Sequence, residues 1–375
     1  MRKYDYLIVG AGLFGAVFCQ QAISRGKTCL VIDKRNHIGG NCYTENIGGI
    51  NVHKYGPHIF HTDSKEIWEY INQFADFHRF QNAPIAVYEG QAYNLPFNMN
   101  TFAKIFGVSD PEEARRCIEE DKSFTGKNPS NLEEKAISMV GSTIYQMLVK
   151  GYTEKQWGRD CRDLPPNIIS RLPLRFTYDN NYFNDEYQGI PKGGYTAIFE
   201  KLLSGADVRL STPYQKYLED LADTVIFTGK IDEYYGYILG ELTYRSLRFE
   251  ESVLHTVGNY QGNAVVNYTE RSVPYTRIIE HKYFDRDAFD LTHTVITKEY
   301  PAFHDHTNEP YYPIENNRNR SLYEKYRALS AANPKVKFAG RTGEYRYYDM
   351  DDTIAKAIEL ANKLMEENDR NGKTD

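Results

Sequence analysis

The 375-residue sequence lacks several features that would assign a protein to a class at once. It has no block of like charge, and its net charge of −6 gives no reason to expect a nucleic-acid or membrane-surface partner. No apolar run approaches the ~20 residues of a membrane span, and the first residues lack a basic and apolar signal pattern. We therefore expect a globular protein of the cytoplasm.

Cysteine and tryptophan are scarce. The five cysteines form neither a CxxC pair nor a Cys/His cluster, so we expect free thiols and no metal site. Repeats and low-complexity segments are absent as well. Tyrosine stands out by contrast, with 31 residues. Because its ring stacks and its hydroxyl donates, this excess suits a wet pocket for a polar, partly aromatic ligand.

The first forty residues contain a dinucleotide-binding pattern. An apolar strand runs into Gly10, Gly12 and Gly15 in GxGxxG spacing, a helix follows, and a second strand ends in Asp33. At this spacing the carboxylate can bind a ribose hydroxyl while a pyrophosphate lies at the helix N-terminus. The order of strand, turn and helix makes the motif specific for a dinucleotide.

Two further glycine turns favour FAD over NAD. Gly39 and Gly40 follow the acid closely, where a backbone without side chains can approach a phosphate. Gly340 and Arg341 offer a second such turn, between a strand and a helix near the C-terminus. Both features resemble the flavoprotein group that includes amine oxidases, so we predict FAD as the cofactor.

The remaining pattern predicts an α/β fold with two insertions. From about Thr62, apolar residues recur at spacings of three and four, and between about Tyr244 and Thr297 they alternate. We predict a Rossmann-like FAD-binding domain assembled from the discontinuous segments 1–61, 190–243 and 312–375. A mainly helical domain with a mobile substrate loop would span 62–189, and an antiparallel β-sheet domain would span 244–311.

Several stretches taken together resemble one enzyme family over essentially the whole chain. They are RNHIGGNCYTE, HKYGPHIFHT, GYTEKQWG, SRLPLRFTYDNNYFND, IPKGGYT, VVNYTE, PYTRIIEHKYF, YYPI and YRYYDMD. In this order, over an FAD fingerprint, they resemble the bacterial type of UDP-galactopyranose mutase. The resemblance implies interconversion of UDP-galactopyranose and UDP-galactofuranose without net oxidation. It also suggests a homodimer that supplies galactofuranose to surface glycans.

This reaction explains why a redox cofactor is kept without net redox. Ring contraction detaches the anomeric carbon from the ring oxygen and joins it to O4, so a covalent catalyst that holds this carbon divides the reaction into easier steps. N5 of reduced FAD is an amine that can attack the anomeric carbon as UDP leaves. The sequence itself shows no nucleophile elbow, paired catalytic carboxylates or metal-ligand cluster.

The resemblance also implies the residues of the site. The catalytic set is His58, beside the flavin ring with His61 in support, and Arg171 and Arg277, which bind the pyrophosphate. The cofactor contacts are Gly10, Gly12, Leu13, Phe14, Gly15, Asp33, Lys34, Arg35, Gly40, Asn41, His58, Ile59, Gly340, Arg341, Asp349 and Met350. The substrate contacts are Asn82, Leu148, Tyr152, Thr153, Trp157, Arg171, Tyr182, Asn267, Arg277, Tyr311, Tyr347 and Asp349.

Individual roles follow from the same resemblance. Tyr152 stacks on uracil and Trp157 lies over the sugar, while Tyr182, Tyr311 and Tyr347 donate to phosphate oxygens. Leu148 and Val149 stand where relatives often carry a phenylalanine by the uracil, and Asp33 replaces the commoner Glu, with a shorter reach to the ribose. Three alternatives stay open: a mutase for UDP-N-acetylgalactopyranose or for both sugars, an amine-oxidase-type FAD oxidoreductase, and a flavin-binding protein without turnover.

Overall fold

The structure, a computed structural model, describes residues 3–124, 126–169 and 172–371. Its strands are β1 (Tyr4–Val9), β2 (Cys29–Ile32), β3 (Thr44–Ile47), β4 (Ile50–His53), β5 (Phe60–Thr62), β6 (Phe77–Arg79), β7 (Ile85–Tyr88), β8 (Gln91–Asn94), β9 (Tyr187–Pro191), β10 (Asp207–Arg209), β11 (Ala222–Phe227), β12 (Tyr244–Leu254), β13 (Val265–Tyr268), β14 (Arg277–Glu280), β15 (Thr294–Phe303), β16 (Tyr312–Pro313) and β17 (Val336–Phe338).

Eleven α-helices of the described residues alternate with these strands along the chain. They are α1 (Leu13–Ile23), α2 (Lys65–Ile71), α3 (Met99–Phe106), α4 (Pro111–Glu120), α5 (Leu132–Ile144), α6 (Gly151–Trp157), α7 (Thr196–Leu202), α8 (Ile231–Tyr234), α9 (Asn317–Ser330), α10 (Gly340–Gly343) and α11 (Met350–Asn371). A π-helical segment, Tyr145–Lys150, joins α5 to α6. Within the described residues, no helix is both long and apolar enough to cross a membrane.

The dinucleotide motif belongs to a five-stranded parallel sheet in the order β10-β2-β1-β11-β17. Along β1, Tyr6 and Ile8 contact the core under α1 and α11, while Leu7 faces a separate apolar cluster on the other side. Both faces are covered, which is why β2 is apolar and buried throughout. The predicted Rossmann-like fold is confirmed. Because the strands are parallel, their carboxyl ends lie at the same edge of the sheet.

A seven-stranded sheet, in the order β16-β12-β15-β14-β13-β7-β8, forms the second layer. The sequence predicts an antiparallel sheet here, but β13 and β7 pair in parallel, so the sheet is mixed. Two of its strands come from the block predicted to be mainly helical. Glu89 and Gly90 both have positive φ, +48° and +70°, and form the tight turn between β7 and β8. Such a two-residue turn matches the twist of a hairpin, and this hairpin is a departure from the mainly helical block predicted for 62–189.

The helices of the middle block pack around one apolar cluster that includes Phe102, Leu132 and Tyr145. The side chains of Asn98, Asp110 and Asn131 accept backbone N–H bonds at the starts of α3, α4 and α5. This cluster supports the π-helical segment and α6, which carry several predicted substrate contacts. At the other end of the second layer, β16 places Tyr312 in the seven-stranded sheet, beyond the predicted domain boundary.

Candidate active site

The carboxyl edge of the parallel sheet is shaped by close backbone approaches. Gly10 has a φ of +109°, and a Cβ on it would lie 2.1 Å from Oγ1 of Thr228, the residue after β11. Gly40 has a φ of +55°, and its Cβ would lie 2.8 Å from Cα of Gly12. The two glycine turns therefore touch and shape the cradle that the cofactor phosphates need, and a side chain at either position would force the surrounding chain apart.

Asp33 ties the end of β2 to this cradle. Its Oδ2 accepts the N–H of Ala11 at 2.8 Å, and its Oδ1 accepts the N–H of Arg35 at 2.8 Å. Each oxygen keeps a second lone pair, so the carboxylate can still bind a ribose hydroxyl. Lys34 lies farther out and forms a salt bridge with Glu309 at 2.9 Å.

Arg35 carries an unsatisfied hydrogen-bond donor at this edge. Its Nη2 donates to Oδ1 of Asn41 at 3.0 Å and pairs with Glu309 at 3.2 Å, and its guanidinium lies over the ring of Tyr55. Its Nη1 is buried without a hydrogen-bond partner. A buried donor left unsatisfied is costly, so an acceptor at this place fits the residues present. The predicted residues thus fit FAD.

The second glycine turn completes the edge after β17. Gly340 has a φ of +73° and lies against Phe14, which is buried at the start of α1. Arg341 donates from Nη2 to the carbonyl of Tyr348 at 2.8 Å, and its guanidinium lies over the ring of Tyr347. Arg341 therefore connects the cofactor edge to the neighbouring cavity.

A cavity of about 500 Å³ adjoins this edge. Every described residue that was predicted to contact substrate lines it: Asn82, Leu148, Tyr152, Thr153, Trp157, Tyr182, Asn267, Arg277, Tyr311, Tyr347 and Asp349. The predicted cofactor residues Asn41, His58, Ile59, Arg341, Asp349 and Met350 line it as well. Arg171, predicted as catalytic, lies outside the described residues. Segments far apart in the chain thus converge on one space.

Arg277 is held in this cavity by a buried carboxylate. It begins β14, and its Nε and Nη2 both donate to Oε2 of Glu299 on β15, at 2.9 and 2.8 Å. Glu299 is completely buried and also accepts a hydrogen bond from Thr276. Burial alone lowers the pKa of Arg277, but Glu299 more than offsets it, so the net shift is upward. The guanidinium is a permanently charged, oriented anion donor.

His58 is a neutral imidazole in the same cavity. Its Nδ1 lies 2.8 Å from the carbonyl oxygen of Gly56, which can only accept, so Nδ1 carries the proton and Nε2 keeps its lone pair. Burial, followed by the charges of Arg341 and Arg277, lowers the pKa of His58 to about 4 despite this hydrogen bond. At neutral pH the residue therefore offers a hydrogen-bond acceptor rather than a charge.

A chain of buried histidines supports His58. Its backbone N–H donates to Nδ1 of His53 at 3.1 Å, and the N–H of His53 donates to Nδ1 of His281 at 3.2 Å. Burial is the main cause that lowers the pKa of His53 well below its ordinary value, and that of His281 to about 3. His61, expected in this supporting role, instead pairs with Asp185 at 3.0 Å. No sequence signal distinguishes His53 for this role.

Aromatic residues crowd around Arg277. Burial raises the pKa of Tyr152 to about 12 and raises the pKa of Tyr182 as well, so both hydroxyls keep their protons and can donate. Tyr312, which was not predicted, stacks with Tyr347 at 5.9 Å between ring centroids. The charge of Arg277 acts on the Tyr312 hydroxyl, whose pKa burial raises. Tyr312 therefore belongs to the same donor cluster.

Tyr311, the residue predicted from this pair, also lines the cavity but has different neighbours. Burial raises its pKa, and the next strongest influence is Arg35 at the cofactor edge. The motif YYPI alone does not show which of the two adjacent tyrosines lies beside Arg277, and in the structure both line the cavity.

Two side-chain amides in the cavity lack hydrogen-bond partners. Oδ1 of Asn267 and Oε1 of Gln156 are buried and unpartnered. Gln156 was not predicted, although it lies one helical turn after Tyr152 on α6, so the helical spacing within YTEKQW could have found it. Both amides are placed to bind polar groups of a ligand.

Apolar residues form one wall of the cavity. Leu148 and Val149 are buried with Phe97 and Ile169 in the core cluster of the helical block, and all four line the space. Trp157 packs against the same cluster and faces the cavity too, so it fills a gap between helices while lining the site. This wall suits the flat face of a base.

Comparison with known proteins places the chain among mutases. Residues 147–347 match the model of the UDP-galactopyranose mutase family, and residues 8–74 match an NAD(P)-binding Rossmann-like domain. A probable UDP-galactopyranose mutase from Klebsiella pneumoniae is 40% identical over 97% of this chain and 96% of its own length. A dTDP-fucopyranose mutase from Escherichia coli is 38% identical over 96% of this chain and 98% of its own.

Solved structures agree on the fold. A crystal structure of reduced UDP-galactopyranose mutase superimposes with a TM-score of 0.76, at 14% identity, over 97% of this chain and 96% of that one. The predictions of an isomerase and of FAD as its cofactor are confirmed. On its matched region and its near full-length relatives, the chain belongs to the UDP-galactopyranose mutase family.

Proposed function

We propose that this protein interconverts UDP-galactopyranose and UDP-galactofuranose with reduced FAD and no net redox. The observation that carries the proposal is the cavity beside the cofactor edge, where Arg277, neutral His58 and several protonated tyrosines converge. Reduced FAD, when bound, supplies N5 as the nucleophile for the anomeric carbon, with UDP as the leaving group. The chain supplies binding, orientation and charge.

Arg277 serves the leaving group. As UDP departs, negative charge grows on its β-phosphate, so a fixed guanidinium stabilises the transition state more than the ground state. Glu299 holds the fork in place through Nε and Nη2, which limits the reorganisation needed at the moment of reaction. The hydroxyls of Tyr182, Tyr312 and Tyr347 add neutral donors around the same phosphates. Arg171 would join Arg277, as the family resemblance implies.

His58 acts at the cofactor side of the cavity. With Nδ1 committed to the carbonyl of Gly56, its Nε2 accepts a hydrogen bond from the cofactor or the sugar without adding a positive charge beside Arg277 and Arg341. Buried Asn267 and Gln156 orient the sugar or the nucleotide through amides that otherwise lack partners. The base would lie on the wall formed by Leu148 and Val149, with Tyr152 stacked on it.

A second candidate is a dTDP-fucopyranose mutase. The E. coli relative with that name is nearly as similar as the K. pneumoniae one, at 38% against 40% identity. Aliphatic Leu148 and Val149, where relatives often carry a phenylalanine, leave space for the methyl group that distinguishes thymine from uracil. Catalysis would be unchanged, since the pyrophosphate contacts are common to both substrates.

The test is a substrate panel with anaerobically reduced enzyme. UDP-galactofuranose, UDP-N-acetylgalactofuranose and dTDP-fucofuranose are incubated separately, and the products are resolved by anion-exchange chromatography. We expect the highest kcat/KM for UDP-galactofuranose. A higher value for dTDP-fucofuranose would transfer the assignment to the second candidate. Absence of any ring interconversion in this panel, together with amine-dependent hydrogen peroxide formation by the oxidised enzyme in air, would contradict both and favour the oxidoreductase alternative.

A further inference from the structure

A second cavity, of about 450 Å³, lies against α6 outside the substrate cavity. Helix α6 separates the two: Tyr152, Thr153 and Gln156 line the substrate cavity, while Glu154 and Lys155 line the second one. The rest of its lining is Gly158, Arg159, Asp160, Arg245, Arg271, Pro301 and Phe303. Charged residues dominate this lining, so the charges that lack a partner determine which ligand the cavity can bind.

Arg245 is the buried cation of this cavity. It lies on β12 and is only 2% exposed. Its Nε donates to the carbonyl of Gln156 at 2.9 Å and its Nη2 to that of Lys155 at 3.3 Å, at the C-terminal end of α6. Its Nη1 is buried and has no hydrogen-bond partner, and its guanidinium lies over the ring of Phe303 at 4.3 Å. The helix carbonyls carry only part of a counter-charge, so Arg245 retains an unmet donor.

The carboxylates of the lining do not neutralise this charge, because each has another partner. Glu154 pairs with Arg271 at 3.3 Å. Asp160 accepts from both Nε and Nη2 of Arg162, at 2.9 and 2.8 Å. Among the residues that the structure describes, no carboxylate forms an ion pair with Arg245.

Arg159 brings a second positive charge to the same space. It is exposed, and no described residue forms a hydrogen bond or ion pair with its side chain. Burial is the main cause that lowers the pKa of Arg245. The charge of Arg159 lowers it further, because the two guanidinium groups repel each other. Lys155 is positively charged as well, and its Nζ donates to three backbone carbonyls, so it does not reduce the repulsion between the two arginines. Two like charges facing one cavity are stabilised by an anion between them.

We propose that this cavity binds a phosphoryl anion, with Nη1 of Arg245 as the buried donor and Arg159 as the donor at its exposed side. A guanidinium fork matches the spacing of phosphate oxygens, and two of them can share one phosphate. Gly158 lies between α6 and Arg159 and has no side chain, so the exposed side of the cavity is not blocked at this position. The anion is a ligand separate from the sugar nucleotide, and the proposal does not depend on the reaction.

Isothermal titration of the holoenzyme tests the proposal. Inorganic phosphate and galactose 1-phosphate are titrated separately at constant ionic strength, each with and without saturating UDP to block the substrate cavity. Arg159→Gln removes the exposed donor, and Arg245→Lys keeps the charge but loses the Nη1 donor. Arg248→Gln is the matched control, because Arg248 is an exposed arginine on the same strand, outside both cavities.

We expect one phosphate bound per chain in the presence of UDP. Its affinity should fall about tenfold or more in Arg159→Gln and in Arg245→Lys, and stay unchanged in Arg248→Gln. Tighter binding of galactose 1-phosphate than of inorganic phosphate would identify an organic phosphate as the ligand, and the reverse would identify the free ion. The proposal is overturned if no saturable binding occurs, if Arg159→Gln binds as wild type does, or if UDP abolishes binding.

Discussion

The two parts of the active site are built in different ways. At the carboxyl edge of the parallel sheet, close backbone packing shapes the site: a Cβ at Gly10 would lie 2.1 Å from Oγ1 of Thr228, and a Cβ at Gly40 would lie 2.8 Å from Cα of Gly12. In the adjoining cavity, side chains form the site, and buried partners such as Glu299 and His53 hold Arg277 and His58 in place. The first part therefore depends on glycines that let backbone turns touch, and the second on side chains that buried partners hold in place. Substitutions in the first part should therefore lower FAD content, whereas substitutions in the second should lower kcat and leave FAD content unchanged.

The largest effect should come from Gly10→Ala. The new Cβ would lie 2.1 Å from Oγ1 of Thr228 while the backbone keeps a φ of +109°, so the cradle must distort. We expect FAD content to fall to near zero, and activity with it, as measured by flavin absorbance per protein. Gly26→Ala is the matched control, because Gly26 also has a positive φ, +76°, but nothing lies within 4 Å of its Cβ. Full retention of FAD by Gly10→Ala would contradict the account of this edge.

The next effect should come from Arg277→Ala. Removing the charge that stabilises departing UDP should lower kcat on the order of 10²-fold or more, with a modest loss of UDP affinity. FAD content should not change, which distinguishes this variant from Gly10→Ala. Arg277→Lys should restore little, because it keeps the charge without the fork. Steady-state kinetics and flavin absorbance provide the check, and near wild-type kcat, or lost flavin, would remove Arg277 from the leaving-group role.

Glu299→Gln should have a smaller effect of the same kind. The amide still accepts one hydrogen bond from Arg277 but loses the charge that holds Nε and Nη2 together. We expect kcat to fall about tenfold, equivalent to about 1.4 kcal/mol of transition-state stabilisation. Double-mutant kinetics with Arg277→Ala give the test: Glu299→Gln should add little once Arg277 is gone. Fully additive effects would show that Glu299 acts by another route.

An effect on stability rather than on catalysis should appear in the pH dependence of unfolding. The pKa of His58 is lowered to about 4 in the folded state, so between pH 6.5 and 4 the unfolded chain binds more protons. Stability is therefore lost as pH falls through this window, by up to about 1.4 kcal/mol per pH unit for one such histidine. Urea unfolding at pH 6.5, 5.5 and 4.5 should show a shallower decline in His58→Gln, while His53 and His281 keep part of the slope. Parallel declines would refute a buried neutral His58.

The same difference explains how much of the molecule the sequence could predict. The strand before the GxGxxG turn, the turn itself and the strand that ends at Asp33 follow one another closely in the sequence. Local spacing therefore predicts the parallel sheet and its cofactor edge. The convergence of Arg277, Tyr152 and the loop of Tyr347 is a product of tertiary packing, and only the family resemblance could place these residues in one site.

What escaped prediction has physical reasons. His53 supports His58 through a backbone N–H, an interaction without a residue-type signature. Tyr311 and Tyr312 are adjacent in the YYPI motif, and the motif does not say which one faces Arg277. The hairpin β7–β8 depends on two positive φ values at Glu89 and Gly90, and only the glycine announces such a value.

The nucleophilic use of reduced FAD is tested by anaerobic conversion of UDP-galactofuranose with dithionite-reduced and with oxidised enzyme, with the flavin spectrum followed throughout. We expect turnover in the reduced sample alone, many products per flavin, and a flavin that is still reduced at the end. Equal rates in both samples would contradict the nucleophilic use of reduced FAD. One flavin reoxidised for each product formed would instead show net redox chemistry.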